Sequence, residues 1–197
     1  MKLLVASNNK HKIKEIKSIL KNYFDEIQGL EEANVICNPD EDGETFYNNA
    51  LIKAREAAKY AANCAVLADD TGLCVDALNG MPGIYSARYA SEHDSAANRK
   101  KLLRELTDVT DRSAHFETVT VLLLPTGDIL CSAGRADGYI LEKEDGTNGF
   151  GYDDIFFSTE LNKSFGQASD IEKNAVSHRA RALNNLIELL RKSNFVS

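Results

Sequence analysis

The sequence predicts an α/β fold, on three observations. Short apolar runs at residues 2–6 and 64–68 have the length and composition of strands buried on both faces. Helical periodicity intervenes: Ile13, Ile16, Ile19 and Leu20 recur three or four apart, and so do Ala50, Leu51, Ala54, Ala57, Ala58 and Ala61. Two extended segments, residues 115–124 and 129–141, are joined by the turn residues Pro125-Thr126-Gly127-Asp128, which predicts an antiparallel hairpin. At 197 residues the chain is long enough for one domain of good size, or two small lobes, with a real core.

Each element has its own signal. Lys2 to Ala6 form the first strand, and Ser7-Asn8-Asn9-Lys10 lead into a helix that begins near Lys10. Ser and Asn are favoured caps, and the free N–H groups of a helix start attract anions, an attraction that Lys10 strengthens. Lys14, Lys17 and Lys21 read as a solvated face. Residues 23–44 turn acidic and carry Pro39 and Gly43, with a short strand expected around Val35, Ile36 and Cys37. The alanine-rich helix from Phe46 follows. Strand 64–68 then closes on Asp69-Asp70-Thr71-Gly72, which reads as a turn placing two carboxylates beyond the strand end, where ligands collect in α/β sheets. Successive strand side chains face opposite ways, so one aspartate is expected as ligand and the other as a supporting acid. Glu41, just before the alanine-rich helix, completes a cation site with Asp70 if its loop lies beside that strand. Asp94 or Ser95 caps a helix carrying Leu102, Leu103 and Leu106. Glycines in residues 146–152 allow close backbone approach to a ligand, and Phe150 or Tyr152 offers a flat face to a base. Ser177 caps a last helix, and His178 and Arg179 stand in its first turn, where the helix dipole disfavours cations.

Several functions are excluded. A formal charge of -7 argues against binding a nucleic-acid polymer, so an anionic ligand must be held by local positive charge. Four cysteines without a C-x-x-C pair suggest neither a zinc knuckle nor a disulfide framework. The amino-terminal apolar run, Leu3 to Ala6, is too short for a signal peptide, and no run approaches membrane-spanning length, so no membrane partner and a cytoplasmic location are expected. The glycine-rich pattern G-x-x-x-x-G-K-[ST] does not occur.

Taken in order, Ser7-Asn8-Asn9-Lys10, Asn49-Ala50 with Lys53-Ala54, Asp69-Asp70-Thr71-Gly72-Leu73, residues 82–88 (PGIYSAR), Phe150-Gly151-Tyr152-Asp153 and Ser177-His178-Arg179 closely resemble the inosine triphosphate pyrophosphatase family, also called XTP/dITP diphosphatases. The motifs span nearly the whole chain. The resemblance implies a single domain over residues 1–197, an elongated mixed sheet flanked by helices, with two lobes and a nucleotide cleft between them. It also implies a homodimer and Mg²⁺-dependent cleavage of ITP, dITP and XTP to monophosphate and pyrophosphate. By the same match Ser7, Asn8, Asn9, Lys10, His11 and Lys12 hold phosphates, Asp70 is the catalytic acid/base and a metal ligand, and Thr71 touches substrate. Phe150, Gly151, Tyr152, Asp153, Lys173, His178 and Arg179 shape the base and sugar pocket. The second metal carboxylate maps to Glu41, with Asp40 and Glu44 as neighbouring alternatives.

The products that the resemblance implies call for water attack on the α-phosphorus, with Lys10, Lys53 and Lys173 neutralising the triphosphate. The 6-oxo group of hypoxanthine and xanthine is an acceptor that Arg179, backbone N–H groups or a protonated His178 can satisfy, whereas adenine presents a donor. Two rival readings use the same residues: a purine-nucleotide-binding regulator without turnover, and an aspartyl-phosphate phosphohydrolase. The second lacks the usual aspartate two positions beyond its nucleophile.

Overall fold

In the computed structural model, which describes residues 1–92 and 94–193, β1 (Lys2–Val5) leads into α1 (Lys10–Leu20). Leu3 and Val5 enter one apolar cluster with Ile16 and Leu20, whereas Leu4 and Ala6 enter another with Ala50, Ala54 and Ala57. A strand apolar on both faces is a strand covered on both faces. There follow β2 (Glu26–Gly29), α2 (Phe46–Ala58), β3 (Ala65–Val75), α3 (Ser95–Glu105), β4 (Ser113–Leu123), β5 (Ile129–Ile140), β6 (Phe156–Ser158), β7 (Lys163–Ser164), α4 (Asp170–Val176) and α5 (His178–Lys192). The strands form a seven-stranded sheet in the order β2-β1-β3-β4-β5-β6-β7. β1 runs parallel to β2 and β3, and β6 antiparallel to β5 and β7, so the sheet is mixed, as expected.

Two expectations are corrected, and one helix comes unannounced. The strand through residues 64–68 does not stop at the aspartates: β3 continues through Asp69-Asp70-Thr71-Gly72 to Val75. Turn-forming residues yield here to sheet pairing and burial, because Asp69 and Asp70 find cationic partners on opposite faces. No strand forms around Val35, Ile36 and Cys37; Asn34 adopts a positive φ of 54° and Ile36 is almost fully exposed. The strand of that region is instead β2, an edge strand of four residues whose Glu, Gln and Gly conceal its periodicity. The seven-residue α4, just ahead of the last helix, carries no sequence signal beyond its capping box of Ser169 and Glu172.

The chain divides into two compact units. The first comprises Met1–Asp70, Thr118–Gly134 and the residues from Arg179 on. Its β3 residues alternate: Ala65 and Leu67 join the cluster of α1 and α5, with Leu183 and Leu186, while Val66 and Ala68 join the alanines of α2. Small side chains on α2 let that helix approach the sheet closely. The second unit comprises Thr71–Glu117 and Arg135–His178, built on Leu73, Val75, Leu102, Phe116, Phe156 and Phe165. Phe116 meets Phe156 edge-on, with ring centroids 4.7 Å apart. Among the described residues no helix is long and apolar enough to cross a membrane.

Candidate functional site

The alternation of β3 decides the site of the first unit. Asp69 follows Ala65 and Leu67 toward α1 and α5; Asp70 follows Val66 and Ala68 toward α2. Both carboxylates are buried, at 3% and 6% exposure, so each requires neutralising partners.

Asp69 is fully provided for. Lys12 of α1 places its Nζ 3.2 Å from Oδ2, and Arg179 of α5 donates from Nε and Nη2 to the same oxygen, each at 3.1 Å. Arg179 also binds Glu15. Burial opposes ionisation of Asp69, but Lys12, Arg179 and Lys53 overcome it and hold the carboxyl far below the usual range.

Asp70 is provided for less completely. Its Oδ1 accepts from Lys53 Nζ at 3.1 Å and its Oδ2 from Asn49 Nδ2 at 3.2 Å. Lys53 also reaches Glu41 Oε2 at 3.2 Å, so one ammonium bridges two carboxylates. Burial raises the Asp70 pKa, Lys53 and Lys12 failing to offset it, and Glu41 adds to the rise. Two adjacent carboxylates are thereby driven in opposite directions, a pattern that separates a fixed charge from a proton acceptor.

Asn49 explains why the acidic loop lies beside β3. It is fully buried on α2, where its Oδ1 accepts from the Gly43 N–H at 2.9 Å while its amide donates to Asp70. A Cβ on Gly43 would stand 2.7 Å from Asn49 Oδ1, so only glycine allows this approach. Thr45 caps α2 through the Asn48 N–H, which sets the direction of the same loop. Glu41 and Asp70 offer oxygen donors only, one buried and one half-exposed, with a single ammonium between them. That set suits a hard divalent cation.

The other expected residues fall as follows. Asn9 is the cap of α1, accepting from the His11 and Lys12 N–H groups at 3.0 and 3.2 Å. Ser7 Oγ accepts from the Asn9 N–H, and Asn8 and His11 are exposed. Lys10 is also exposed and lies 3.7 Å from Glu31; Lys12, not Lys10, is the lysine of this helix that reaches Asp69. Burial lowers the Lys12 pKa, an effect that Lys53 and Arg179 reinforce and Asp69 counters. Asp40 and Glu44, the alternatives to Glu41, form no ion pair with Lys53 among the described contacts.

In the second unit Lys173 is buried, 2.7 Å from Asp153 Oδ2, and its ammonium stands 4.7 Å from the Phe150 ring centroid. Asp153 also accepts from the Phe150 N–H at 2.7 Å, so one carboxylate fixes both. Phe150 is half-buried. Tyr152 is a core residue at 5% exposure whose hydroxyl donates to the Ser86 carbonyl. Gly151, at φ 68°, turns the loop so that its carbonyl accepts from Arg99 at 2.8 Å. His178 stacks on Phe116 at 4.6 Å between ring centroids, and Thr71 is half-buried in β3. Arg179, expected with the base-side residues, is committed to Asp69 and Glu15 in the first unit. Sequence reasoning missed Glu15 and Asn49 as positioning residues; Asn49, polar on the apolar stripe of α2 and one turn before Lys53, carried a readable signal.

An α/β protein that gathers three cations and four carboxylates on and around one strand is equipped to handle a polyanion. Residues 3–189 match the model of the Ham1 family, and the chain belongs to that family. A protein of Leuconostoc mesenteroides named dITP/XTP pyrophosphatase is 48% identical over 190 residues, covering 94% of each chain. One of the same name from Clostridium perfringens is 47% identical over 198 residues, covering 96% of this chain and 97% of its own. The solved structure of the Staphylococcus aureus Ham1 protein matches with a TM-score of 0.86 at 42% identity, covering 98% of this chain and 100% of that one. The resemblance carried by the ordered motifs is borne out.

Proposed function

We propose that this protein hydrolyses the non-standard purine triphosphates ITP, dITP and XTP to monophosphate and pyrophosphate with Mg²⁺. The names of its relatives support the substrate class, and the bridging of Glu41 and Asp70 by Lys53 is the observation that carries the chemistry. Mg²⁺ held by Glu41 and Asp70 would neutralise charge on phosphate oxygens and acidify a water.

The chain's own residues supply the rest. Asp70, with its raised pKa, accepts the proton of the attacking water as an oxygen–phosphorus bond forms at the α-phosphate and the α–β bridging bond breaks, pyrophosphate leaving with the electron pair. Asn49 fixes the carboxylate that does this, and Lys12 and Lys53 neutralise phosphate oxygens. Ser7 to His11 at the α1 start offer further polar contacts to phosphate, and Thr71 touches substrate in this reading. Phe150, Gly151, Asp153, Lys173 and His178 serve the base and sugar, Phe150 as the stacking surface. A homodimer in the cytoplasm completes this reading.

The test is product analysis with ITP, dITP, XTP, GTP and ATP under identical conditions with Mg²⁺. Pyrophosphate in step with monophosphate from the first three is expected. Orthophosphate alone would favour the aspartyl-phosphate alternative, and no product a regulator. Metal linkage gives a second expectation: at a hundredfold excess over its dissociation constant Mg²⁺ stabilises by about 2.7 kcal/mol, a rise in Tm of roughly 5–10 °C. Thermal melts of wild type and Asp70→Asn should show that rise in the former and little in the latter.

A further inference from the structure

We propose that Cys74, His115 and Glu117 form a zinc-class transition-metal site on the second unit. Cys74 lies on β3 and His115 and Glu117 on β4, its neighbour in the sheet. Leu73, Val75, Ala114 and Phe116 turn into the apolar cluster of this unit, so alternation sends the three intervening residues to the other face. There a sulfur, a ring nitrogen and a carboxylate oxygen all lie within 4.8 Å of one another. The edges of a tetrahedral zinc site with these donors are roughly 3.3–3.8 Å, a gap that small side-chain rotations close.

Two further features single out this cluster. His115 Nδ1 is buried and has no hydrogen-bond partner, although buried polar atoms are almost always paired. Cys74 is buried while His115 and Glu117 are half-buried, so an ion enters from solvent and keeps a position for water beside three protein ligands. Sulfur and imidazole make this set softer than the oxygen-only pair Glu41 and Asp70, so Mg²⁺ does not compete for it. On binding, the metal–sulfur bond replaces the S–H bond, and the proton passes to the buffer.

The test uses the full chain, stripped with chelator, desalted and held in excess Mg²⁺ so that the oxygen pair is occupied. Titration with Co²⁺ should give a thiolate-to-cobalt charge-transfer band in the near-ultraviolet that saturates at a single equivalent and is displaced by Zn²⁺. Cys74→Ser should abolish the band, and Cys131→Ser, which removes an exposed thiol, should leave it unchanged. His115→Gln and Glu117→Gln, both at half-buried positions, should each weaken Zn²⁺ binding at least roughly tenfold with circular dichroism unaltered. The absence of a band in the wild type would overturn the proposal, whatever the folding of the variants. So would a band that persists in Cys74→Ser, or Zn²⁺ binding unchanged in both the histidine and the glutamate variants.

Discussion

Asp70→Asn is expected to lower kcat for ITP hydrolysis on the order of a thousandfold or more while leaving the protein folded. A positioned general base contributes about 10²–10⁴ in rate, and the same substitution removes the charge proposed to hold the metal. Asparagine keeps the shape and the acceptor oxygen toward Lys53 but has no lone pair basic enough to take a proton from water. The stability result should run the other way. Burial raises the folded-state pKa of Asp70, so its favourable contribution is complete only below the unfolded pKa and is lost as pH rises through the folded value. At neutral pH without metal the ionised Asp70 is a cost. The variant should therefore melt at or above the wild-type temperature in metal-free buffer. Steady-state kinetics and thermal melts on one preparation check both halves. Near wild-type turnover would remove Asp70 from the role of base.

Asp69→Asn should have the opposite profile, a large loss of stability. Asp69 neutralises Lys12 and Arg179, and its removal leaves two cations in a buried setting with Glu15 as the remaining carboxylate on Arg179. Breaking a buried ion pair on one side costs about 3–5 kcal/mol. For a protein of this length the fall in Tm is on the order of 10 °C. The pH dependence has a definite sign. The folded-state pKa of Asp69 is depressed, so its stabilisation is complete above the unfolded value and is lost only as pH falls through the folded one. Denaturant melts should show the full difference between wild type and Asp69→Asn at neutral pH, narrowing below about pH 4. A difference constant down to strong acid would mean that Asp69 acts through packing, not charge.

These two neighbours show what the sequence revealed and what it could not. Local periodicity made α1, α2, α3, α5 and the β4–β5 pair visible, because each carries its own stripe of apolar residues or its own turn. Strand alternation correctly separated Asp69 from Asp70. The partners of each were hidden, since Lys12, Arg179, Asn49 and Lys53 are distant in sequence and meet the aspartates only through sheet pairing and helix packing. The same nonlocal pairing extended β3 through residues that locally favour a turn, and it made a strand of β2 without a hydrophobic pattern. Exposure was equally invisible: Lys10 and Lys12 are alike on paper, yet only Lys12 turns toward β3. The burial of Tyr152, whose hydroxyl donates to the Ser86 carbonyl, was hidden for the same reason, Ser86 being distant in sequence.

Hydrolysis of ITP in heavy-oxygen water, with mass analysis of both products, tests most directly whether the cluster around Asp70 aims water at the α-phosphorus. The label is expected in the inosine monophosphate and not in the pyrophosphate. Label in the pyrophosphate would place the attack on the β-phosphorus and contradict the mechanism.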